Sequence, residues 1–430
     1  LVRLSGSLKG STTRAITKSK LETTDGIVVL DGNAAFGESI AFDGTVTATE
    51  IRLGKLLQNE MLGVLDLNLT AKGSGSTIND LDAQVNATVN SLDFNEYTFK
   101  DLALEGNFNK GKGNLVSAYK DENLNMKFDA DVTLDSVASS ATVNLDLIGA
   151  DLQALGLVNR NVKAAFTLTG FFKGTPEDYI INSDIKRGVA VYDDKAYQLG
   201  DLSIEACVKP DTTSLDIRNR VLQLDLESNA SPQDFIAALQ RHVQSYLTKD
   251  PKLDTLSKPV LMKIRGTVHE SPILSEVFVP NLRELDTVQI AVDFDEYKRA
   301  LNADINLPYV NYNGYTIDSL AFKLISNEKN MDFGFGLKDL VAGPINIKNT
   351  RIGGRVTNNM MYLDFLSLDE DEKLMHILAL ITQEDDNLKI HIDDKDLILN
   401  RNKWRVNPNN SILFTDVNTV FEDFKLSYEG

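Results

Sequence analysis

Along most of the chain, apolar and polar residues alternate one by one. From Leu124 the sequence runs LNMKFDADVTLD. Leu124, Met126, Phe128, Ala130, Val132 and Leu134 fall on one side, and Asn125, Lys127, Asp129, Asp131 and Thr133 on the other. Successive strand side chains point to opposite faces, so this pattern predicts a strand with one dry and one wet face. Val143, Leu145 and Leu147 repeat it in ATVNLDLIG, and Val85, Ala87 and Val89 repeat it in DAQVNATVN. Clusters such as Asn-Lys-Gly and Asp-Glu-Asn separate these runs, as hairpin loops do. Wet-and-dry strands joined by short loops predict a mainly β, antiparallel-rich fold.

One helix stands out, in SPQDFIAALQRHVQSYLTKD. Ser231 is placed as N-cap, Pro232 sits at the first helical position, and Asp234 lies near the positive helix start. Phe235, Leu239, Val243 and Leu247 recur every four residues, with Ile236 and Tyr246 widening the stripe, so the helix over 231–248 is expected to lie on the sheet as a lid or plug. Shorter helices are expected near Ile51 (IRLGKLLQNE), Ala150 (ADLQALGL) and Ser271 (SPILSEVFVPNL). None is long enough to be stable without tertiary contacts.

A short phrase occurs three times. YTFKDLAL starts at Tyr97, YQLGDLSI at Tyr197 and YTIDSLAF at Tyr315. Each has an apolar residue two places after Tyr, Leu five places after it, and another apolar residue two further on. The phrase marks one rung of a divergent repeat. The expected segments are a partial leading repeat over 1–46, repeat 1 over 47–146, repeat 2 over 147–267 with the helical insertion, and repeat 3 with trailing strands over 268–430.

Charge and chemistry narrow the functional classes. The 430 residues carry 44 Lys and Arg against 62 Asp and Glu, a formal charge of −18. That surface opposes nucleic-acid binding, which needs many cations against phosphate. The charges interleave with apolar residues, as solvated strand faces require. The lone Cys207 makes an intrachain disulfide or a cysteine zinc site impossible and reads as a small half-buried residue. His242, His269, His376 and His391 lie in no metal-ligand spacing and read as surface or edge residues. The acidic runs LDEDEK (Leu368–Lys373) and QEDD (Gln383–Asp386) lack the calcium-loop pattern and read as hairpin tips. No P-loop or nucleophile elbow is present. The chain is therefore expected to be no enzyme and to hold no metal or cofactor. The densest apolar run, LMHILALI from Leu374 to Ile381, is too short to cross a bilayer.

What remains is the dry face. Two sheets closing on each other would make a sandwich core. A sheet folded along its length would instead leave an apolar trough. In such a trough a 16-carbon acyl chain gains on the order of 12 kcal/mol, at about 0.8 kcal/mol per buried CH₂. Candidate lining residues are Val85, Val89, Leu124, Met126, Phe128, Val132, Leu134, Val143, Leu145 and Leu147. Sparse aromatics, with Trp404 the single tryptophan, argue against a carbohydrate-active β enzyme.

The stretch DLILNRNKWRVNPNNSILFTD, from Asp396 to Asp416, carries Lys403-Trp404-Arg405-Val406 followed by Pro408, Asn410 and Ile412. With NGYTIDSLAFKL at Asn313 and IRLGKLLQNEMLGVLDLNLTAKGSG at Ile51, it resembles the TamB family of translocation and assembly modules, within the AsmA-like superfamily. The resemblance is one of repeated texture over essentially the whole chain, to a middle portion of a longer protein. It implies a long sheet folded into a trough, the β-taco, in a periplasmic protein anchored in the inner membrane. It implies partnership with phospholipid acyl chains and, through parts outside this stretch, with an outer-membrane Omp85-type (TamA-like) barrel. The implied roles are phospholipid transport between the membranes, or assistance to outer-membrane protein or autotransporter assembly by strand-edge pairing. It brings no catalytic residues. Some 20 to 30 strands at about 4.8 Å each would span on the order of 100 Å.

Overall fold

The computed structural model describes residues 2–57, 59–249, 258–384, 387–415 and 417–428. Among them the chain is mainly β, with 31 strands, a few short helices and one longer helix. The strands pair antiparallel and do not close into a barrel. The chain forms two compact units, Leu1–Ala206 and Cys207–Gly430.

The first twelve strands of the first unit are β1 (Arg3–Gly10), β2 (Arg14–Thr23), β3 (Gly26–Phe36), β4 (Ile40–Arg52), β5 (Leu62–Gly75), β6 (Asp82–Phe94), β7 (Tyr97–Asn109), β8 (Lys112–Lys120), β9 (Leu124–Thr133), β10 (Ser139–Asp151), β11 (Val162–Gly174) and β12 (Tyr179–Tyr192). Each hydrogen-bonds its neighbours in chain order, and directly paired residues share a face. The register therefore turns the sequence pattern into rows. One unbroken row runs Thr17–Gly32–Gly44–Ala71–Val85–Gly106–Leu115–Ala130–Val143–Gly170–Ser183. Two residues along each strand, a second row runs Ala15–Ala34–Phe42–Gly73–Ala83–Phe108–Gly113–Val132–Ala141–Phe172–Ile181. These rows make one apolar face. The opposite face is polar, for example Lys18 paired with Asp31 at 3.2 Å and Asn114 bonded to Asp131 at 3.1 Å.

The second unit is built the same way. The row Leu215–Leu226–Ile264–Val292–Ala303–Leu324–Phe333–Gly354–Leu363–Ala379–Ile392 crosses eleven strands. Beside it runs Ile217–Leu224–Gly266–Ile290–Ile305–Phe322–Phe335–Ile352–Phe365–Ile377. Its opposite face carries ion pairs such as Arg265–Asp293 at 2.8 Å and Arg355–Asp332 at 2.6 Å. The acidic charge is thus largely the solvated face of the sheet.

In both units the ladder is interrupted along a line. In unit 1 the paired row Ala48–Leu67–Val89–Leu102 ends at Glu50 and Asp101, which both take positive φ (53° and 53°). The row Tyr119–Met126–Leu147–Phe166 ends where β10 shifts register after Leu147 and where Arg187 of β12 takes φ 54°. In unit 2, Ser319 (φ 58°) and Asn349 (φ 37°) interrupt their strands in the same way. Beyond each interruption the apolar residues resume three places on instead of two. Thus Leu307 is followed by Val310, and Ile317 by Leu320; Val310 pairs with Ile317, and Ile317 with Leu340. A residue in the left-handed region takes up the odd step, and such bulges bend a strand. Aligned across neighbours, they crease the sheet.

The repeated tyrosine phrase stands on this crease. Its spacing of two, three and two spans Asp101 in the first copy, Gly200 (φ 74°) in the second and Ser319 in the third. Tyr97, Phe99 and Leu124, which pairs with Ala150, on one side of the crease pack in a single cluster with Leu102, Tyr119, Met126 and Leu147 on the other.

The helix α1 is a single turn, Leu53–Leu57, and α2 runs Pro232–Leu247. The segment near Ser271 forms one π-helical turn, Ile273–Phe278. No helix forms near Ala150. Asp151 accepts from the N–H groups of Gln153 and Ala154, and Gly156 takes φ 68°, so that stretch closes as a turn with Leu155 buried under it. Ser231 caps α2 as its sequence predicts, accepting from the Asp234 N–H at 3.2 Å. Its docked stripe is rotated from the expected one. Ala238, His242 and Tyr246 are buried and Phe235 and Leu239 pack beside them, whereas Ile236 and Leu247 are exposed. Ala238 is 0% exposed, because its small side chain lets the helix approach closest there.

Candidate functional site

The apolar face of unit 1 is half-buried over most of its width among the described residues. Val85 and Val89 lie in β6; Met126, Phe128 and Val132 in β9; Val143, Leu145 and Leu147 in β10. Their pairings, Val132–Ala141, Ala130–Val143, Phe128–Leu145 and Met126–Leu147, bring them onto one face. Leu124 and Leu147 are buried in the cluster at the crease, under Leu155, and Met126 packs against it. Leu134 lies just past the end of β9.

The crease cluster also holds a polar knot. The Tyr97 hydroxyl donates to Asp121 Oδ2, and the Tyr119 hydroxyl donates to the same oxygen at 2.8 Å. Asp121 Oδ1 accepts from the N–H groups of Asn123 and Leu124 at 2.8 and 2.7 Å. Burial pushes the Tyr97 hydroxyl up, and the Asp121 carboxylate adds to the shift. Burial works against the Asp121 charge, yet the two tyrosines and two backbone donors together hold its carboxyl below its ordinary value. All partners are satisfied internally, so the knot fixes the crease.

An opening on this face lies at β2–β5, outside the residues that periodicity singled out. A groove of about 310 Å³ is lined there by Ala15, Thr17, Leu30, Gly32, Ala34, Phe42, Gly44, Val46, Leu69 and Ala71, together with Asn33 and Asp43. The first ten are inward residues of adjacent rows; Asn33 and Asp43 alternate to the other face. Its volume is at the lower end of small-molecule pockets, about 300–1,000 Å³. The floor is low because Gly32 and Gly44 pair directly; a Cβ on Gly44 would stand 3.2 Å from the Gly32 Cα. Leu30, 40% exposed, forms one wall. The sequence signal was the Gly and Ala content of the inward positions, which alternation by itself treats as weak apolar residues.

In unit 2 the corresponding face is covered along one margin by α2. Phe235, Ala238 and Leu239 pack with Met262, Phe294, Leu301, Ile264 and Val292. Tyr246 packs with Met331, Val356 and Phe333. His242 is no surface histidine. It is buried, edge-on to Phe294 at 5.2 Å, with Nε2 2.8 Å from the Ser326 hydroxyl. Burial lowers its pKa from 6.5 to about 4, with Glu296 acting upward and Arg299 downward. A helix stripe read from large apolar residues passes over a histidine, so this contact was not found from sequence. His376 is also enclosed, its side chain 12% exposed between Asp364 and Asp396.

Among the described residues no group of three or more His, Cys, Asp or Glu is placed to hold a metal ion. Cys207 is free and half-buried. Asp369 of the first acidic run pairs with Arg401 at a hairpin whose turn residues Glu370 and Asp371 take positive φ. Asp385 and Asp386 of the second lie outside the described residues. No helix among the described residues is long and apolar enough to cross a membrane. Set beside known proteins, the chain matches no family model, no curated protein and no solved structure.

Proposed function

We propose that this chain is a non-enzymatic acyl-chain-binding module, part of a periplasmic bridge anchored in the inner membrane that carries phospholipid towards the outer membrane. The observation that carries the reading is the open groove at β2–β5, whose inward positions are apolar or glycine except Thr17, continuous with a row that crosses eleven strands. At about 4.8 Å per strand the row offers an apolar path of about 50 Å along the sheet. Burying an acyl chain on it gains about 0.8 kcal/mol per CH₂ and needs no catalytic group. The polar opposite face keeps the sheet soluble. The barrel partner, of Omp85 type, belongs to parts of the protein outside this chain.

Photoactivatable palmitic acid tests this reading. It is expected to label peptides of β2–β5. Ala71→Phe, which fills the groove floor, is expected to weaken binding roughly tenfold, about 1.4 kcal/mol. Thr70→Phe, on the opposite face, is expected to leave it unchanged. Equal labelling of wild type and Ala71→Phe, or none in either, would sink the reading.

A further inference from the structure

We propose that α2 is a displaceable plug: it holds, on the apolar face of unit 2, the place that an acyl chain holds on the apolar face of unit 1, and helix and chain exclude each other. The proposal rests on the acyl-binding reading above.

Three observations carry it. The first is what α2 covers. Its docked stripe sits on Met262, Phe294 and Leu301 and on the neighbouring row Ile264, Val292 and Leu324. Those are inward positions of the face that lies open in unit 1. The row through Ile305, Phe322 and Phe335 is left outside these clusters. The helix thus covers one margin of the face, and Ile305, Phe322 and Phe335 beyond it are half-buried.

The second is that the sheet is complete without α2. Under the helix the strands pair residue for residue, Ser228 with Met262, Met262 with Phe294, Phe294 with Leu301, Ser326 with Met331 and Met331 with Val356, away from the interruptions at Ser319 and Asn349. The polar links to the helix are few. Arg241 meets Glu296 at 2.9 Å, His242 meets the Ser326 hydroxyl at 2.8 Å, and the Tyr246 hydroxyl donates to the Asn327 carbonyl at 2.6 Å. The Asn359 N–H donates to the Tyr246 carbonyl at 2.9 Å. Two of the sheet-side partners keep a bond when the helix leaves. Glu296 Oε2 accepts from the Val260 N–H at 2.9 Å, and the Ser326 hydroxyl accepts from the Leu301 N–H at 2.7 Å. Undocking therefore strands few buried polar groups, the main cost that holds a polar latch shut.

The third is a second apolar flank. Ile236 and Leu247 are 49% and 47% exposed, with Val243 between them at helical spacing. At about 100° per residue this stripe lies about a quarter-turn from the docked one. An arriving chain meets apolar surface on the sheet and on the helix before it takes the helix's place.

The experiment uses the whole chain, photoactivatable palmitic acid, and Ala238→Cys in a Cys207→Ser background. Position 238 is fully buried while the helix is docked. Palmitic acid is expected to raise the rate of maleimide labelling at position 238 roughly tenfold, in proportion to the undocked population. Hydrogen exchange of the α2 amides in the wild-type chain gives the same readout without a substitution. A disulfide between Ala238→Cys and Met262→Cys, two members of one packed cluster, is expected to abolish palmitic acid labelling of unit 2 and to spare unit 1. Labelling of unit 2 with α2 exchange unchanged, or in the locked variant, overturns the plug and leaves the acyl reading standing. So does labelling of unit 1 alone whether or not the helix is locked. Labelling of neither unit overturns both.

Discussion

The two units carry the same apolar face and finish it differently. In unit 1 the face is open at Leu30, Phe42 and Leu69, and at the crease Leu155 and the Tyr97–Tyr119–Asp121 knot cover it. In unit 2 a 16-residue helix lies on it and buries Met262 and Phe294 to 3% and 2% exposure. The difference teaches that the strands do not need a cover to form. Their backbone bonds are made within the ladder, and one wet face suffices for solubility. The cover decides what else the dry face can bind.

Core truncation breaks this comparison most directly. Phe294→Ala is expected to cost about 3–5 kcal/mol, because it opens a cavity under α2. Leu30→Ala is expected to cost about 1 kcal/mol or less, since its side chain is already partly in water. Urea denaturation of both variants checks the contrast, and equal losses would mean that the unit 1 face is covered in solution.

The next effect separates the units by pH. His242 is neutral when folded, its pKa lowered from 6.5 to about 4 by burial. The unfolded chain therefore takes up the proton first. The stability this histidine contributes is fully present above about pH 6.5 and is lost as pH falls towards 4, in all up to about 3 kcal/mol. His242→Gln is expected to flatten that slope, and unit 1, which contains no histidine, is expected to show none from this source. Thermal melts between pH 4 and 7, with hydrogen exchange to assign each unit, measure it.

The smallest effect addresses what the units share. Asp101 and Ser319 hold the left-handed residue of the crease in unit 1 and unit 2. A β-branched residue there meets a steric cost of roughly 1–2 kcal/mol. Asp101→Val and Ser319→Val are each expected to destabilise their own unit by that amount, whereas the glycine variants are tolerated. A valine variant as stable as wild type would show that the bulge is not needed.

Much of this was legible in the chain. The alternation through Leu124–Val132 and Val143–Leu147 placed strands and faces, because the strand period of two is a local property. Ser231, Pro232 and Asp234 placed the start of α2, because capping is local too. The tyrosine phrase was visible as a recurrence, but its step of three was not seen as a break in period, since one strand alone gives no reason for its neighbours to break beside it. The segment near Ala150 had helical composition and became a turn, because one turn of helix is not stable without contacts to favour it.

The sequence by itself determined that this protein is a succession of antiparallel strands with a dry side, a charged side and one capped helix, because alternation and capping are read within a few residues. Only the tertiary structure decided that the odd steps line up into a crease, that Ala238 and His242 rather than Val243 and Leu247 face the sheet, and that the dry side stays open at Gly32 and Gly44. Those outcomes depend on register and close approach between segments distant in the chain, which no local pattern encodes.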